Sequence, residues 1–533
     1  MPLPELQLVA RAVACVNVVA FASFHSQAEG LIGPSGLDPA APKLARAATR
    51  LEACDGLADR LRAARRFPCV LLLAPAGRRG AALASVGPAG LGASLALTLG
   101  LVPEPLAPLV WLLLAALYLA WILVAGDFLG LQSDSNLVEI NALLAAALPA
   151  SCIAPWLATL SLRFLAFRTM LGCGLGKWNG SPMWRDRTAM MVHYFTQPLP
   201  NPLSKFAHHM PTFLHRLSVD ATFLVEIWVT PLALSPWLAP RLLCFCCFQG
   251  LNLAINLTGN FGFIGALNMA ENLVLLDGST LPQSWAAALS SDTCEGVPEL
   301  TAMLWAPPGV GCVLRLACCG YLCAHLVASL VPLRKAAFKR GALELPRLPP
   351  IVEPKLPQSV EVLHGLLRGF RLCNHYSKFA GMHDFRWEFQ LEGLAVDGTD
   401  WRRYGWRFKP WAAERMPAVV PLHLPRLDWR IWFLPLGLRR QGRHFCPPSW
   451  LERLAQAVLD GEPAVLGLIG RNPFDGSAEG PTAVRISVSE FVVGEVGGSW
   501  WVERAGVSQW QCVADVRSDA RSRSRSPSPH KTN

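Results

Sequence analysis

The sequence predicts a polytopic α-helical membrane domain followed by a β-rich soluble C-terminal domain, strands with an inserted helix. Three observations carry this. Charged residues are 16% of the 533, against roughly 25% in soluble domains. Apolar residues are 52% and the mean hydropathy is +0.32, which favours burial in lipid. Finally, apolar runs of about 20 residues, the length that crosses the hydrocarbon core, give way after Pro332 to short alternating runs. The length allows two or three units at roughly 150 residues each.

The first apolar stretch, Leu6 to Phe24, carries one basic residue, Arg11, and is followed by His25-Ser26-Gln27. Ala20-Phe21-Ala22 offers a cleavage site, but the stretch is long for a signal core, so an uncleaved first span is expected. Further spans fall near 81–102, 105–126, 137–160, 155–176, 220–238, 241–258, 260–276 and 307–332, with Pro231, Pro236 and Pro240 interrupting one of them. The count is about five to nine crossings. Asp127, Glu139, Arg163, Arg168, Glu226, Glu271 and Arg315 lie in or beside these runs. Each costs on the order of 2.5 kcal/mol facing lipid at mid-depth, so inward pairing is expected. No Asp/Glu/His chain recurs at helical spacing, which disfavours a pump or channel. The membrane domain is read as 1–335, with 176–216 as an interfacial Pro-rich loop.

Residues 336–360, which include Leu345-Pro346-Arg347-Leu348-Pro349-Pro350, form an extended linker, and the soluble domain is read as 361–515. Phe385, Trp387, Phe389 and Leu391 alternate with Arg386, Glu388 and Gln390, and Val484, Ile486 and Val488 with Arg485 and Ser487, giving half-buried strands. Asp397-Gly398 supplies a turn. Ser449 and Glu452 have capping-box spacing ahead of a helix that Gly461 ends. The Arg/Ser tail, 516–533, holds too little apolar surface to fold.

The net charge is +10, from 48 basic and 38 acidic residues, with basic clusters at 43–66 and 334–340 beside the spans. Positive-inside bias accounts for them, and the near absence of interleaved aromatics argues against a nucleic-acid partner. Of sixteen cysteines, seven lie in apolar runs, and no ligand spacing for zinc occurs. His193, His208, His209 and His215 lack the spacing of a metal helix, with Pro211 interrupting the helix that would join His208 to His215. No P-loop or nucleophile elbow is present. No cofactor and no metal are expected.

The segment Gly176 to Ser204, GKWNGSPMWRDRTAMMVHYFTQPLPNPLS, is too polar for lipid yet flanked by spans. Its Trp184-Arg185-Asp186, Tyr194 and Thr196-Gln197-Pro198-Leu199-Pro200-Asn201-Pro202 resemble the lipase maturation factor family. A second block, His423 to Phe433, looks like that family's PRLDWQMWF signature, and Gly30 to Gly33, Asn374-His375-Tyr376, Arg471 to Phe474 and Trp500 to Arg504 are similar too. Gln132-Ser133-Asp134 departs from the family's Gln-Trp-Asp, and segments 34–66 and 279–306 match poorly.

The resemblance implies a membrane protein of the endoplasmic reticulum that catalyses no reaction. It would assist folding or assembly of secreted lipases or related glycoproteins, its soluble domain meeting these partners in the lumen. That orientation conflicts with positive-inside placement of Arg334 to Arg340, but large domains translocate regardless of flanking charge. Trp184, Arg185, Asp186, Gln197, Pro198, Asn201, Pro202, Pro425, Arg426, Asp428, Trp429 and Trp432 are candidates for client contact or for structural motifs, as are Trp401 and Trp406. The competing reading puts the tryptophans in the core, Asp428 beside Arg426 in a tight turn, and Arg185 with Asp186 in a local pair. Asn179 is a glycosylation candidate. The alternative is a membrane enzyme related to the vitamin-K-dependent carboxylases, with Lys177 beside Trp178 as its base.

Overall fold

The computed structural model describes residues 3–289, 310–338, 353–477, 479–504 and 514–517. The chain divides into two units, the first holding the chain up to Ser26 with Ala41–Asp384 and Val419–Leu424, the second Gln27–Ala40, Phe385–Ala418 and the chain from Pro425 on. The segment 361–384, expected to open the soluble domain, thus belongs to the helical unit, because its Asn374 and Tyr376 are bound to a buried glutamate there. Most of the expected linker, 339–352, and the Arg/Ser tail beyond Arg517 lie outside the described residues.

The first seven helices are α1 (Pro4–Ile32), α2 (Ala40–Glu52), α3 (Leu57–Arg66), α4 (Arg79–Thr98), α5 (Ala107–Ala125), α6 (Gln132–Ala150) and α7 (Pro155–Asn179). Among the described residues six stretches are long and apolar enough to cross a membrane: Pro4–Ile32, Ala76–Thr98, Glu104–Leu129, Thr212–Leu234, Leu238–Leu257 and Gly311–Ala337. The chemistry of α5 shows why. It is a chargeless run with Pro108 in its first turn, where no N–H is needed, and Gly126 closes it at φ +52°. In Thr212–Leu234 the α-helix widens to a π turn over Leu224–Val229 and then tightens, since Pro231 has no N–H to donate backward.

Two of the expected spans, 137–160 and 155–176, are not among the six. They are α6 and α7, which pack against each other and against Val310–Ala328, and α6 is buried almost throughout. The expected span 260–276 is the shorter helix Phe263–Leu275. Aromatic packing joins α1 to α5: Phe21 lies 5.4 Å from Tyr118 and 5.3 Å from Trp121, and Phe24 lies 4.8 Å from Trp121. Asn17 and Asn141 exchange two amide hydrogen bonds of 2.9 Å between α1 and α6, satisfying both side chains away from water.

The second unit is built on an antiparallel sheet of β1 (Trp387–Leu394), β2 (Trp401–Arg403), β3 (Ala483–Val493), β4 (Trp501–Arg504) and β5 (Ala514–Arg517). The order is β2-β1-β3, with β4 and β5 sharing the far edge of β3 along Glu490–Val493 and Ala483–Ile486. The turn between β1 and β2 is as expected: Asp397 Oδ1 accepts from the amides of Thr399 and Asp400 at 3.0 and 3.1 Å, and Gly398 takes φ +74°. Between β2 and β3 the chain forms Arg426–Gln441, Ser449–Leu459 and Pro463–Leu466 rather than one helix. The capping box expected at Ser449 does not form, because the helix begins at Ser449 itself with Pro448 as cap, while Gly461 does follow its end at φ +71°.

β3 is half-buried as expected, with Val484, Ile486 and Val488 buried and Arg485 and Ser487 partly exposed, whereas β1 departs from the expectation. In β1 the odd residues Phe389 and Leu391 are fully buried, and so are Glu388 and Gln390 on the opposite face. Glu388 is neutralised there by Arg386 and Lys409, each 2.7 Å from one of its oxygens, and Arg386 stacks over Trp501 at 5.2 Å. A buried carboxylate flanked by two cations needs no water-exposed face.

Candidate functional site

Among the described residues, four groups bear on the residues the sequence singles out. The first is centred on Glu139 of α6, where helix periodicity turns an acidic side chain into the apolar interior. Its Oε1 contacts Arg168 of α7 and His325 Nε2 at 2.8 Å. Its Oε2 accepts from Tyr376 Oη at 2.6 Å, Asn374 Nδ2 at 2.8 Å and the Asn374 amide at 3.1 Å. Arg168 also reaches the Asn374 carbonyl and sits 5.5 Å from the Tyr376 ring centre. The expected inward pairing is realised here, in Glu271 accepting from Asn136, and in Arg163 with Asp277 at 3.5 Å. Glu139, His325 and Cys373 bring three ligand-type atoms within 4.8 Å of one another. The Arg168 guanidinium on the same carboxylate repels a cation, so the donor set suits an ion-pair hub and not a metal.

The second group is the tryptophan-arginine-aspartate turn. Trp184 is buried, its Nε1 donates to the Phe379 carbonyl at 3.0 Å, and its ring lies 6.1 Å from Phe223 and 5.5 Å from Lys177 Nζ. Arg185 and Asp186 are exposed, and the local ion pair expected of them is made instead by Arg187 with Asp220, because Arg185 and Asp186 point outward from a helix of one turn. Lys177, the base that the enzyme alternative needs, is held by both oxygens of Glu226 at 2.7 Å. Asn179 Nδ2 donates to the Ala336 carbonyl at 2.8 Å from the last turn of α7, so the nitrogen that a glycan would occupy is already engaged.

The third group overturns the picture of 176–216 as a loop. Gln197 to Ser204 forms a clasp over the end of the helix Leu238–Leu257. Gln197 Nε2 donates to the Thr258 carbonyl at 2.7 Å and to Ser204 Oγ at 2.9 Å, and Asn201 Nδ2 donates to the Leu257 carbonyl at 2.9 Å. Carbonyls orphaned at a helix C-terminus are thereby satisfied. Asn201 and Ser204 cap each other at 3.0 and 2.8 Å, and Asn260 donates to the carbonyls of Leu199 and Pro200 at 2.9 and 3.1 Å. The prolines fix the extended backbone that presents these groups. Gln197, Pro198 and Asn201 are buried and Pro202 is half-buried, so they hold the fold together and offer little to a partner.

The fourth group, around Asp428, is helical where a tight turn was expected. Pro425 caps the helix and Asp428 sits in its first turn, where a carboxylate meets the positive end of the helix dipole. Asp428 Oδ1 accepts from the amides of Phe408 and Lys409 at 3.1 and 3.2 Å. Burial pushes its carboxyl up to about 6, against the opposing pull of these bonds and of Lys409, and burial lowers Lys409. Asp428 does not pair with Arg426, whose amide donates to Gln27 Oε1 at 2.7 Å. Trp429 and Trp406 are buried and Trp401 and Trp432 half-buried, with Trp406 Nε1 donating to the Phe389 carbonyl at 2.6 Å. The tryptophans are mainly core.

Sequence reading missed Thr258 and Asn260 as partners of the clasp, and Lys409 as the cation under β1. The presence of Glu388 and Gln390 on one strand face was the available signal for the last.

A family model described as the lipase maturation factor transmembrane domain matches residues 5–283, and one described as the lipase maturation factor C-terminal domain matches residues 372–510. The chain is 30% identical to lipase maturation factor 2 of Homo sapiens over 93% of its own length and 80% of that protein. It is 27% identical to lipase maturation factor 1 of Bos taurus, over 93% and 86% respectively. No solved structure matches.

Proposed function

The chain belongs to the lipase maturation factor family and is a multi-pass membrane protein, and on that premise we propose that it resides in the endoplasmic reticulum and assists the folding or assembly of secreted lipases or related glycoproteins. The observation that carries this is the occurrence of both family domains in order on one chain, the first rich in helices long and apolar enough to cross a membrane and the second holding the antiparallel sheet. Such a protein works by binding and catalyses no reaction. The membrane unit tethers it, and the soluble unit presents surface to newly made chains. Of the proposed contact residues, Arg185 and Asp186 remain accessible, and Trp432 offers part of its ring.

Deleting the protein from a secreting cell should lower secreted lipase activity while leaving lipase synthesis unchanged, and restoring the chain should recover it. Unchanged secreted activity would remove the client assignment. Incorporation of labelled carbon dioxide into glutamate would instead favour the carboxylase alternative, which the engagement of Lys177 by Glu226 speaks against.

A further inference from the structure

A cavity of about 360 Å³ lies in the first unit where α1, the end of α4, α5, the end of α6 and the helix Val310–Ala328 come together. Three charged side chains line it: Arg11 of α1, Arg315 of Val310–Ala328, and Glu104, which opens the membrane-crossing stretch Glu104–Leu129. A Cβ added at Gly100 would lie 3.8 Å from Arg11 Nη2, and one added at Gly311 would lie 3.5 Å from Arg315 Nη1. Both glycines line the cavity, so both guanidiniums run along its wall. Among the described residues neither guanidinium nor the Glu104 carboxylate has a hydrogen-bond or ion-pair partner. Leu97, Trp111, Leu148 and Leu314 supply an apolar wall.

Depth and charge together select a ligand. Arg315 is the fifth residue of the crossing stretch Gly311–Ala337 and Arg11 the eighth of Pro4–Ile32. At about 1.5 Å per residue they lie roughly 6 and 10 Å along their helices from the ends, at the level of lipid headgroups. A guanidinium there is stabilised by an anion, and a phosphodiester accepts from two guanidiniums at once. Glu104 disfavours a ligand that is only anionic. A headgroup in which a primary ammonium follows the phosphodiester answers all three charges. Pro105, Pro108 and Pro149 also line the cavity and stiffen its backbone, so little ordering is needed on binding.

We propose that this cavity binds the headgroup of an aminophospholipid, phosphatidylethanolamine in its simplest form. The phosphodiester meets Arg11 and Arg315, the ammonium donates to Glu104, and the upper part of an acyl chain lies on the apolar wall. The proposal is independent of the client reading. It also holds whichever side of the bilayer the cavity faces, because both leaflets supply this lipid.

The test is native mass spectrometry of the full-length protein released from nanodiscs of phosphatidylcholine and phosphatidylethanolamine in equal parts. The two lipids differ in methylation of the ammonium, which removes the N–H donors that Glu104 would meet. The wild type should retain phosphatidylethanolamine over phosphatidylcholine by about tenfold, and Glu104→Gln should abolish that preference. Arg11→Ser/Arg315→Ser should retain at least about tenfold less of either lipid, and Arg11→Lys/Arg315→Lys should restore most of it. Arg11 and Glu104 are exposed and Arg315 is half-buried, so folding should survive, and the ratio of the two lipids is read within one sample. Equal retention by the wild type and the serine variant overturns the site. A wild type without preference between the lipids overturns the ammonium assignment, and glycerophosphoethanolamine binding as tightly as the intact lipid overturns the assignment to a lipid.

Discussion

Glu139→Ala tests the logic of the helical unit most severely. The carboxylate accepts from four residues, Arg168, His325, Asn374 and Tyr376, on three separate stretches of chain. Alanine removes all of these bonds and leaves the Arg168 guanidinium fully buried without its counter-charge. Breaking a buried pair in this way costs about 3–5 kcal/mol, far more than the pair itself contributes, because the surviving charge has lost water and gained nothing. At about 2–4 °C per kcal/mol, the lower figure already lowers Tm by about 6–12 °C. Thermal unfolding of the full-length protein in detergent measures it. Removing the stranded cation as well, in Glu139→Ala/Arg168→Met, should recover a large part of the loss, since the double variant buries no lone charge. If the double variant falls by the sum of the two single losses, or if Glu139→Ala shifts Tm by less than about 2 °C, the ion-pair hub is not what holds this unit together.

Asp428 should make the stability of the soluble unit depend on pH. Its folded carboxyl lies near 6 against an ordinary 3.8, so its stabilisation is complete below about pH 3.8 and is lost as the pH rises through 6. That is about 3 kcal/mol over the window, and Asp428→Asn should flatten the dependence of Tm on pH between 4 and 7. Gln197→Ala should cost about 0.5–1.5 kcal/mol by removing its donations to the Tyr194 and Thr258 carbonyls, the second of which keeps Ser204 Oγ as a donor, and hydrogen exchange should rise near Thr258. Arg185→Ala/Asp186→Ala should leave Tm within about 1 °C, because both side chains are exposed, whereas Trp184→Ala should destabilise by about 3–5 kcal/mol. A loss of secreted lipase activity in the first variant with Tm unchanged would then mark a client contact. Asn179→Gln should not change the electrophoretic mobility of the protein, since the Asn179 nitrogen is occupied by Ala336.

Local features of the fold were legible wherever one physical signal dominated. The chargeless run of α5 had no alternative to a membrane helix, and the Asp397-Gly398 turn follows from local chemistry alone. The reading failed where tertiary partners decided the outcome. Pro425 and Pro435 disguised the helix Arg426–Gln441, whose start is fixed by Asp428 meeting amides some twenty residues upstream. The polar face of β1 looked solvated because Glu388 and Gln390 mark a polar face without naming its partner, and Lys409, which folds beneath Glu388, lies some twenty residues further on. The same holds for the Gln-Pro-Leu-Pro-Asn run, in which extended, polar composition suggested an accessible loop. Its acceptors are the carbonyls of Leu257 and Thr258, more than fifty residues away. Motif strength alone does not distinguish a clasp from a contact surface.

The β1–β2 turn offers the most direct test of a membrane-tethered factor that meets secretory clients. An Asn-X-Thr acceptor placed at Val396 to Thr399, where the side chains are exposed, reports which side of the bilayer the sheet occupies. The account predicts a glycan that endoglycosidase H removes, marking residence in the lumen of the endoplasmic reticulum. An acceptor left unmodified while a control acceptor in a secreted lipase is glycosylated in the same cells would place the sheet out of reach of its clients and contradict it.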